Sequence, residues 1–286
     1  MYSFNQKSVV LFVFLFISLF INSQEFQGKA YYMSKTSVDM SNFERPNMTE
    51  EQKKRLENRL KTMFQKTFVL DFNKTASIYK VEEKLEAPNQ GGRGRFRAIM
   101  SGAVDGTKFK DVKTKETLIE LELFGKLFLV KDNLPDLDWS ITAETKQIGG
   151  YTCYKATAVK TWKDFDMTTL RRPPNSGDKN QEIENLDKNE ASKEIITAWY
   201  TMQIPVNQGP GDYWGLPGLI LEVTTNNTII LCSKIVLNPE DKTPIIAPKK
   251  GKMVTKAEYV ELATKKFKEM RENFRRGGQR GGGRRN

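Results

Sequence analysis

The chain begins with a long apolar run that follows a single cation. The run extends from Val9 to Ile21, comes after Lys7, and ends before Asn22 and Ser23. Its length is too short for a membrane-spanning helix, which takes roughly 20 residues, but a run of this kind is typical of a secretory signal peptide. The pattern therefore predicts a signal peptide over residues 1–23 and export of the mature chain. An uncleaved anchor is the alternative.

Most of the mature chain, from residue 24 to residue 247, has the pattern of strands joined by turns. Residues 118–124 alternate apolar positions with Glu120 and Glu122, and residues 28–33, 151–159 and 195–203 are rich in aromatic and β-branched side chains. Alternation with period two is the pattern of half-buried strands. No later segment is long and apolar enough to cross a bilayer.

Two capping boxes mark helix starts. Thr49 is followed three residues later by Gln52, and Thr255 by Glu258, so that each threonine is a candidate N-cap. We therefore expect an α+β fold, mostly β: a curved antiparallel sheet with an N-terminal and a C-terminal helix. By fold-level analogy, this could be a half-barrel like that of periplasmic lipoprotein carriers.

Polar stretches interrupt or follow this domain. Residues 163–194 read as a polar surface insertion and residues 87–98 as a Gly/Arg-rich loop, whereas residues 248–286 read as a basic amphipathic helix with a disordered Gly/Arg tail. This last region carries most of the formal net charge of +11, with thirteen Lys and Arg against four Glu. Anionic envelope lipids or polymers would match that charge. Because the usual nucleic acids are absent from the compartment to which the protein is exported, no nucleic-acid partner is expected.

The absence of histidine narrows the range of catalytic and metal sites that the chain can form. It removes the most common general base and most zinc and copper sites, so we expect no metal, no cofactor and no catalytic residue. Ser77 and Lys80 have the spacing of the S-x-x-K motif, but on a strand they would face opposite ways. Cys153 and Cys232 could form a disulfide in an exported protein or remain two buried thiols.

The segment Trp214-Gly215-Leu216-Pro217-Gly218-Leu219-Ile220 combines a turn with a strand entry. Gly215, Pro217 and Gly218 are predicted to form a structural turn, with Pro217 at the first central position and Gly218 at positive φ in the second. Residues 215–220 spell the signature of the GLPGLI family, exported proteins of Bacteroidota, which this chain resembles. Residues 128–132, 134–135, 144–146, 148–156, 197–201 and 204–205, together with Trp139, extend the resemblance. It implies an exported β-rich protein and no catalytic residues.

Three functional hypotheses follow. The first is a non-enzymatic envelope protein that binds an apolar or peptide ligand in the concavity of the sheet, with Tyr151, Trp199, Tyr213 and Trp214 at the rim. The second is a surface or structural adaptor whose basic tail contacts anionic envelope components. The third is a hydrolase that uses carboxylates or lysine. The predicted destination is the periplasm, the outer membrane or the outside of the cell.

The signal peptide can be tested directly. If residues 1–23 are removed on export, the secreted or periplasmic protein starts at Gln24, because small Ser23 then occupies the last position of the cleaved peptide. N-terminal sequencing or intact mass of the purified protein measures this. A mature protein that retained Met1 would contradict the prediction.

Overall fold

A computed structural model describes residues 26–37, 48–82, 102–162 and 192–280. The predicted signal peptide, the Gly/Arg-rich loop at residues 87–98, all but the end of the polar insertion, and residues 281–286 lie outside these ranges. The described strands are β1 Gln27–Thr36, β2 Gln65–Asn73, β3 Ala76–Val81, β4 Thr107–Asp111, β5 Glu116–Leu123, β6 Lys126–Asn133, β7 Ser140–Ile148, β8 Tyr151–Trp162, β9 Ser192–Thr201, β10 Leu219–Thr224, β11 Thr228–Leu237 and β12 Lys252–Thr255.

All twelve strands belong to one open sheet. Their order is β12-β6-β5-β4-β3-β2-β1-β11-β10-β9-β8-β7. Most neighbours are joined by short connections and pair antiparallel, which confirms the prediction of a mostly β, largely antiparallel fold. The sheet is nevertheless mixed, because β12 pairs with β6 in parallel. The chain leaves the middle of the sheet after β11 and reaches the far edge only at residue 252, where it runs in the direction of β6.

Helices α1 (Glu50–Phe64) and α2 (Lys256–Arg280) begin where the capping boxes predict. The Thr49 amide donates to Gln52 Oε1 at 3.0 Å and the Gln52 amide to Thr49 Oγ1 at 3.3 Å. At α2, the Thr255 amide donates to Glu258 Oε2 at 2.8 Å and the Glu258 amide to Thr255 Oγ1 at 3.3 Å. Helix α2 continues into the region predicted to be a disordered tail, because arginine favours helix and a glycine costs only about 1 kcal/mol.

Helix α2 packs on the face of the sheet at β5 and β6, next to the β12 edge. Its buried face repeats every four residues at Tyr259, Ala263 and Phe267. The ring of Tyr259 meets Phe128 edge-on at 5.6 Å, and its hydroxyl donates to the Ala103 carbonyl at 3.0 Å. This contact fixes the start of α2 against the strands. In the described ranges, neither helix is long and apolar enough to span a membrane.

Candidate functional site

The connection between β9 and β10, residues 202–218, is the most distinctive part of the fold, and we call it the bridging segment. Ile204, Val206, Gln208 and Leu216 of this segment are buried. The first two pack with residues of β1 and β2, and Leu216 packs with residues of β8 and β9. The segment therefore lies between strands that are distant in the sheet order, and it buries its own apolar side chains there.

Lys110 anchors the bridging segment to β4. Its side chain is 1% exposed, and Nζ donates to the carbonyl oxygens of Gly209 at 2.9 Å, Tyr213 at 3.1 Å and Gly211 at 3.4 Å. An ammonium group has three N–H donors, so these three carbonyls match its capacity. Burial lowers the pKa of Lys110 to about 7, with Asp212 opposing the shift and Lys108 adding to it.

Ser77 and Gln208 make a second buried contact between the sheet and the segment. Ser77 pairs with Lys110 across β3 and β4, and its hydroxyl donates to Gln208 Oε1 at 2.9 Å. Gln208 is fully buried, and among the described residues its Nε2 has no hydrogen-bond partner. A buried amide nitrogen without a hydrogen-bond partner lowers the free energy of unfolding. The other contacts of the segment must therefore offset this loss.

Asp212 lies near lysine side chains that come from distant strands of the sheet. Lys108 of β4 donates to Asp212 Oδ1 at 2.6 Å. Burial raises the pKa of Asp212, but the nearby charges of Lys108, Lys160 and Lys110 outweigh it and hold the pKa well below its usual range. Lys160 lies on β8, which is separated from β4 by six strands in the sheet order, and burial lowers its pKa.

The arrangement joins parts of the sheet and leaves little room for chemistry. Ser77 and Lys110 are each 1% exposed, and their polar atoms are occupied by Gln208 and the three carbonyls. Ser77 is buried while Lys80 is exposed on the same strand, as the strand interpretation of the S-x-x-K spacing requires. Among the described residues, no group of three or more Cys, Asp or Glu side chains is arranged to hold a metal ion.

The four aromatic residues predicted to form a ligand rim do not belong to one group. Tyr151 and Trp199 pack against the cluster that contains Cys153 and Cys232, whereas Tyr213 packs against the cluster of Leu216. Trp214 is only 8% exposed, and its indole nitrogen donates to the Pro135 carbonyl at 2.8 Å. The ring face of Trp199 is covered by Lys146, whose Nζ lies 4.3 Å from the ring centroid.

The predicted structural turn is present as bends at residues 216–218, but its conformation differs from the prediction. Positive φ occurs at Gly215 (93°), and Gly218 does not adopt it. Gly218 is needed instead because its backbone approaches Thr201: a Cβ there would overlap the Thr201 carbonyl oxygen and lie 2.6 Å from the carbonyl carbon. A close approach of this kind depends on the neighbouring strand, so the local sequence does not reveal it.

Cys153 and Cys232 are free, buried thiols in the structure. They lie on β8 and β11, with β9 and β10 between these strands, although both belong to the same core cluster. Burial raises the pKa of Cys153 to about 11 and that of Cys232 to about 12, which suppresses thiolate reactivity. A disulfide between them stays a hypothesis.

Sequence reasoning missed Lys110, Gln208 and Asp212. Alternation along β4 would place Phe109 inward and its lysine neighbours outward, whereas Lys110 is buried. Its partners are backbone carbonyls about a hundred residues away, and no local pattern encodes such a contact. Asp212 and Gln208 stand in a Gly- and Pro-containing connection that reads as an ordinary loop.

Comparison with known proteins gives one family match. A family model described as "Protein of unknown function (Porph_ging)" matches residues 139–222. The matched region runs from the residue before β7 into β10 and includes the bridging segment. Residues 215–220 lie inside it, and the match does not itself confirm the GLPGLI assignment.

Two solved structures of PNGF-II, in space groups C2 and P21, are similar to this chain at 13% and 14% identity, with TM-scores of 0.47 and 0.46. Each similarity covers 84% of this chain and 33% of the other, so the chain spans about a third of their length. A likeness at this level supports no conclusion about function. No curated protein matches the chain.

Replacing Gly218 should show whether this glycine is needed for the close approach to the Thr201 backbone or for the conformation of the turn. We expect Gly218→Ala to destabilise the fold by about 1–3 kcal/mol or more, because the added methyl group must displace the Thr201 backbone. Pro217→Ala, at the adjacent exposed position, should cost about 1 kcal/mol or less. Urea denaturation of both variants measures this, and equal midpoints would contradict it.

Lys110 should make stability depend on pH. Because its pKa is about 7 in the folded protein and 10.5 as the model-peptide value, the unfolded chain binds more protons between these values. Its contribution to the unfolding free energy therefore rises with pH above about 7, approaching about 1.4 kcal/mol per pH unit. Lys110→Met should remove this slope and exposed Lys80→Met should retain it in urea titrations. A Lys110→Met slope equal to that of the unmodified protein would refute the assignment.

Proposed function

We propose that this protein is an exported, non-enzymatic cell-envelope adaptor, in which a rigid sheet domain is attached to anionic envelope components through the basic C-terminal region. The observation that carries the proposal is the charge of residues 248–286, where thirteen Lys and Arg face four Glu. Six of these lysines are exposed in the structure: Lys249, Lys250, Lys252, Lys265, Lys266 and Lys268. Exposed cations of one sign attract anionic surfaces and orient the approach.

The attachment of α2 to the sheet supports this role. Tyr259, Ala263 and Phe267 are buried against β5 and β6, so the cations of α2 are held on the folded domain. An adaptor needs such a rigid link, because the sheet domain must stay in a fixed position relative to the envelope component that the cations bind.

We extend the proposal to the family of the protein. The signature at residues 215–220 favours a GLPGLI-type protein.

A ligand in the concavity of the sheet is the less favoured function. We propose that the sheet curves as a half-barrel around the bridging segment, since Lys108 of β4 and Lys160 of β8 both act on Asp212. On flat strands about 4.8 Å apart these residues would be far from each other. Ile204, Val206 and Leu216 of the chain itself are buried in that region, where a ligand would have to compete with them.

A lysine-dependent hydrolase has weaker support still. The lowered pKa of Lys110, about 7, is the property a general base requires. However, a base must also reach the proton it abstracts, and Lys110 is enclosed by carbonyl groups of the bridging segment. The geometry therefore favours an anchoring role for Lys110.

Neutralising the tail tests the adaptor function. We expect the exported protein to leave the envelope fraction at lower salt when five arginines are replaced by Gln, namely Arg275, Arg276, Arg280, Arg284 and Arg285. With fewer cations the attraction to the anionic envelope is weaker, so less salt is needed to screen it. The matched control removes five exposed cations elsewhere, at Lys54, Arg55, Lys74, Lys80 and Lys113. Fractionation over a salt series measures this, and an unchanged distribution of the tail variant would count against the proposal.

A further inference from the structure

Helix α2 runs across the face of β5 and β6 and reaches the end of these strands part-way along its length. Lys256 at its start lies 3.9 Å from Asp132, near the end of β6. Tyr259 then contacts Phe128, and the ring of Phe267 lies 5.4 Å from Phe124 in the turn between β5 and β6. The helix therefore runs opposite to β6 and arrives at the β5–β6 turn at Phe267.

The helix does not stop at this turn. It continues to Arg280, and thirteen further residues at 1.5 Å each extend it about 20 Å past Phe267. We call residues 265–280 the distal helix. Its sequence contains seven cations and two acids, and it continues the apolar spacing of the packed half with Met270 and Phe274. A basic amphipathic helix of this composition suits a membrane surface.

Other exposed residues stand at the same end of the molecule. Phe124 and Leu127 are 36% and 40% exposed, and Lys126 between them is exposed as well. Gly251 lies against the backbone of Leu127 and Phe128, which places Lys250 and Lys252 beside this turn. Glu122 is the acidic side chain that pairs with Leu127 across β5 and β6. The end of the domain thus combines apolar groups with an excess of cations.

We propose that the distal helix lies in the headgroup region of an anionic lipid bilayer, with its cations among the phosphates and Phe274 in contact with the acyl chains. This inference rests on the adaptor function and specifies its partner. A charged polysaccharide would satisfy the cations alone. The exposed apolar side chains of Phe124 and Leu127 at the same end of the domain favour a lipid surface, because apolar groups beside a basic helix gain from burial at the interface.

The test uses the full mature chain and vesicles of phosphatidylcholine, alone or mixed with phosphatidylglycerol. We expect binding only to the mixed vesicles, and about tenfold weaker binding for Phe274→Ser, because one aromatic side chain loses its contact with the acyl chains. Ile195→Ser is the matched control: it removes an apolar side chain that is 63% exposed on β9, and it should bind like the unmodified protein.

A fluorescent label reports the depth of insertion. In Phe274→Cys the new thiol can be labelled selectively, because Cys153 and Cys232 are buried. Emission of an environment-sensitive dye at this position should shift to the blue on mixed vesicles. Equal affinity of Phe274→Ser and the unmodified protein, or no shift, would overturn lipid insertion and leave the adaptor function standing. Binding to an anionic polysaccharide but not to vesicles would do the same, whereas binding to neither would overturn both.

Discussion

The three hydrogen bonds from Lys110 to the bridging segment are the constraint on which the interior of this protein depends. Through them, the almost fully buried amine of Lys110 donates to the carbonyl oxygens of Gly209, Gly211 and Tyr213. The neighbouring contacts of Ser77 with Gln208 and of Lys108 with Asp212 follow from the same placement. A buried lysine whose partners were removed would be costly, so segment and sheet hold each other in one arrangement.

The consequences reach beyond the segment. Because residues 202–218 occupy the region between distant strands, apolar residues of those strands pack against this segment of the chain itself. Trp139 and Trp214 extend the arrangement, since the indole nitrogen of Trp139 donates to the Trp214 carbonyl and that of Trp214 to the Pro135 carbonyl.

Much of the fold could be predicted because its signals are local. Alternation identified the β-rich domain, and the capping boxes at Thr49 and Thr255 located both helix starts. The parallel pairing of β12 could not be predicted, since it depends on where a long connection ends. The ligand rim of Tyr151, Trp199, Tyr213 and Trp214 stays a prediction. These residues pack against two different clusters, and the contacts that divide them come from residues far away in the sequence.

The sequence by itself determined the mostly β fold, the capped helices and the separation of a nearly neutral body from a basic C-terminal region. These properties depend on residue type and on spacing within a few positions. Only the tertiary structure decided that Lys110 is buried, that Gly218 serves a close approach to Thr201, and that α2 packs through Tyr259. Each of these depends on a partner far away in the chain, which only the order of the strands brings near.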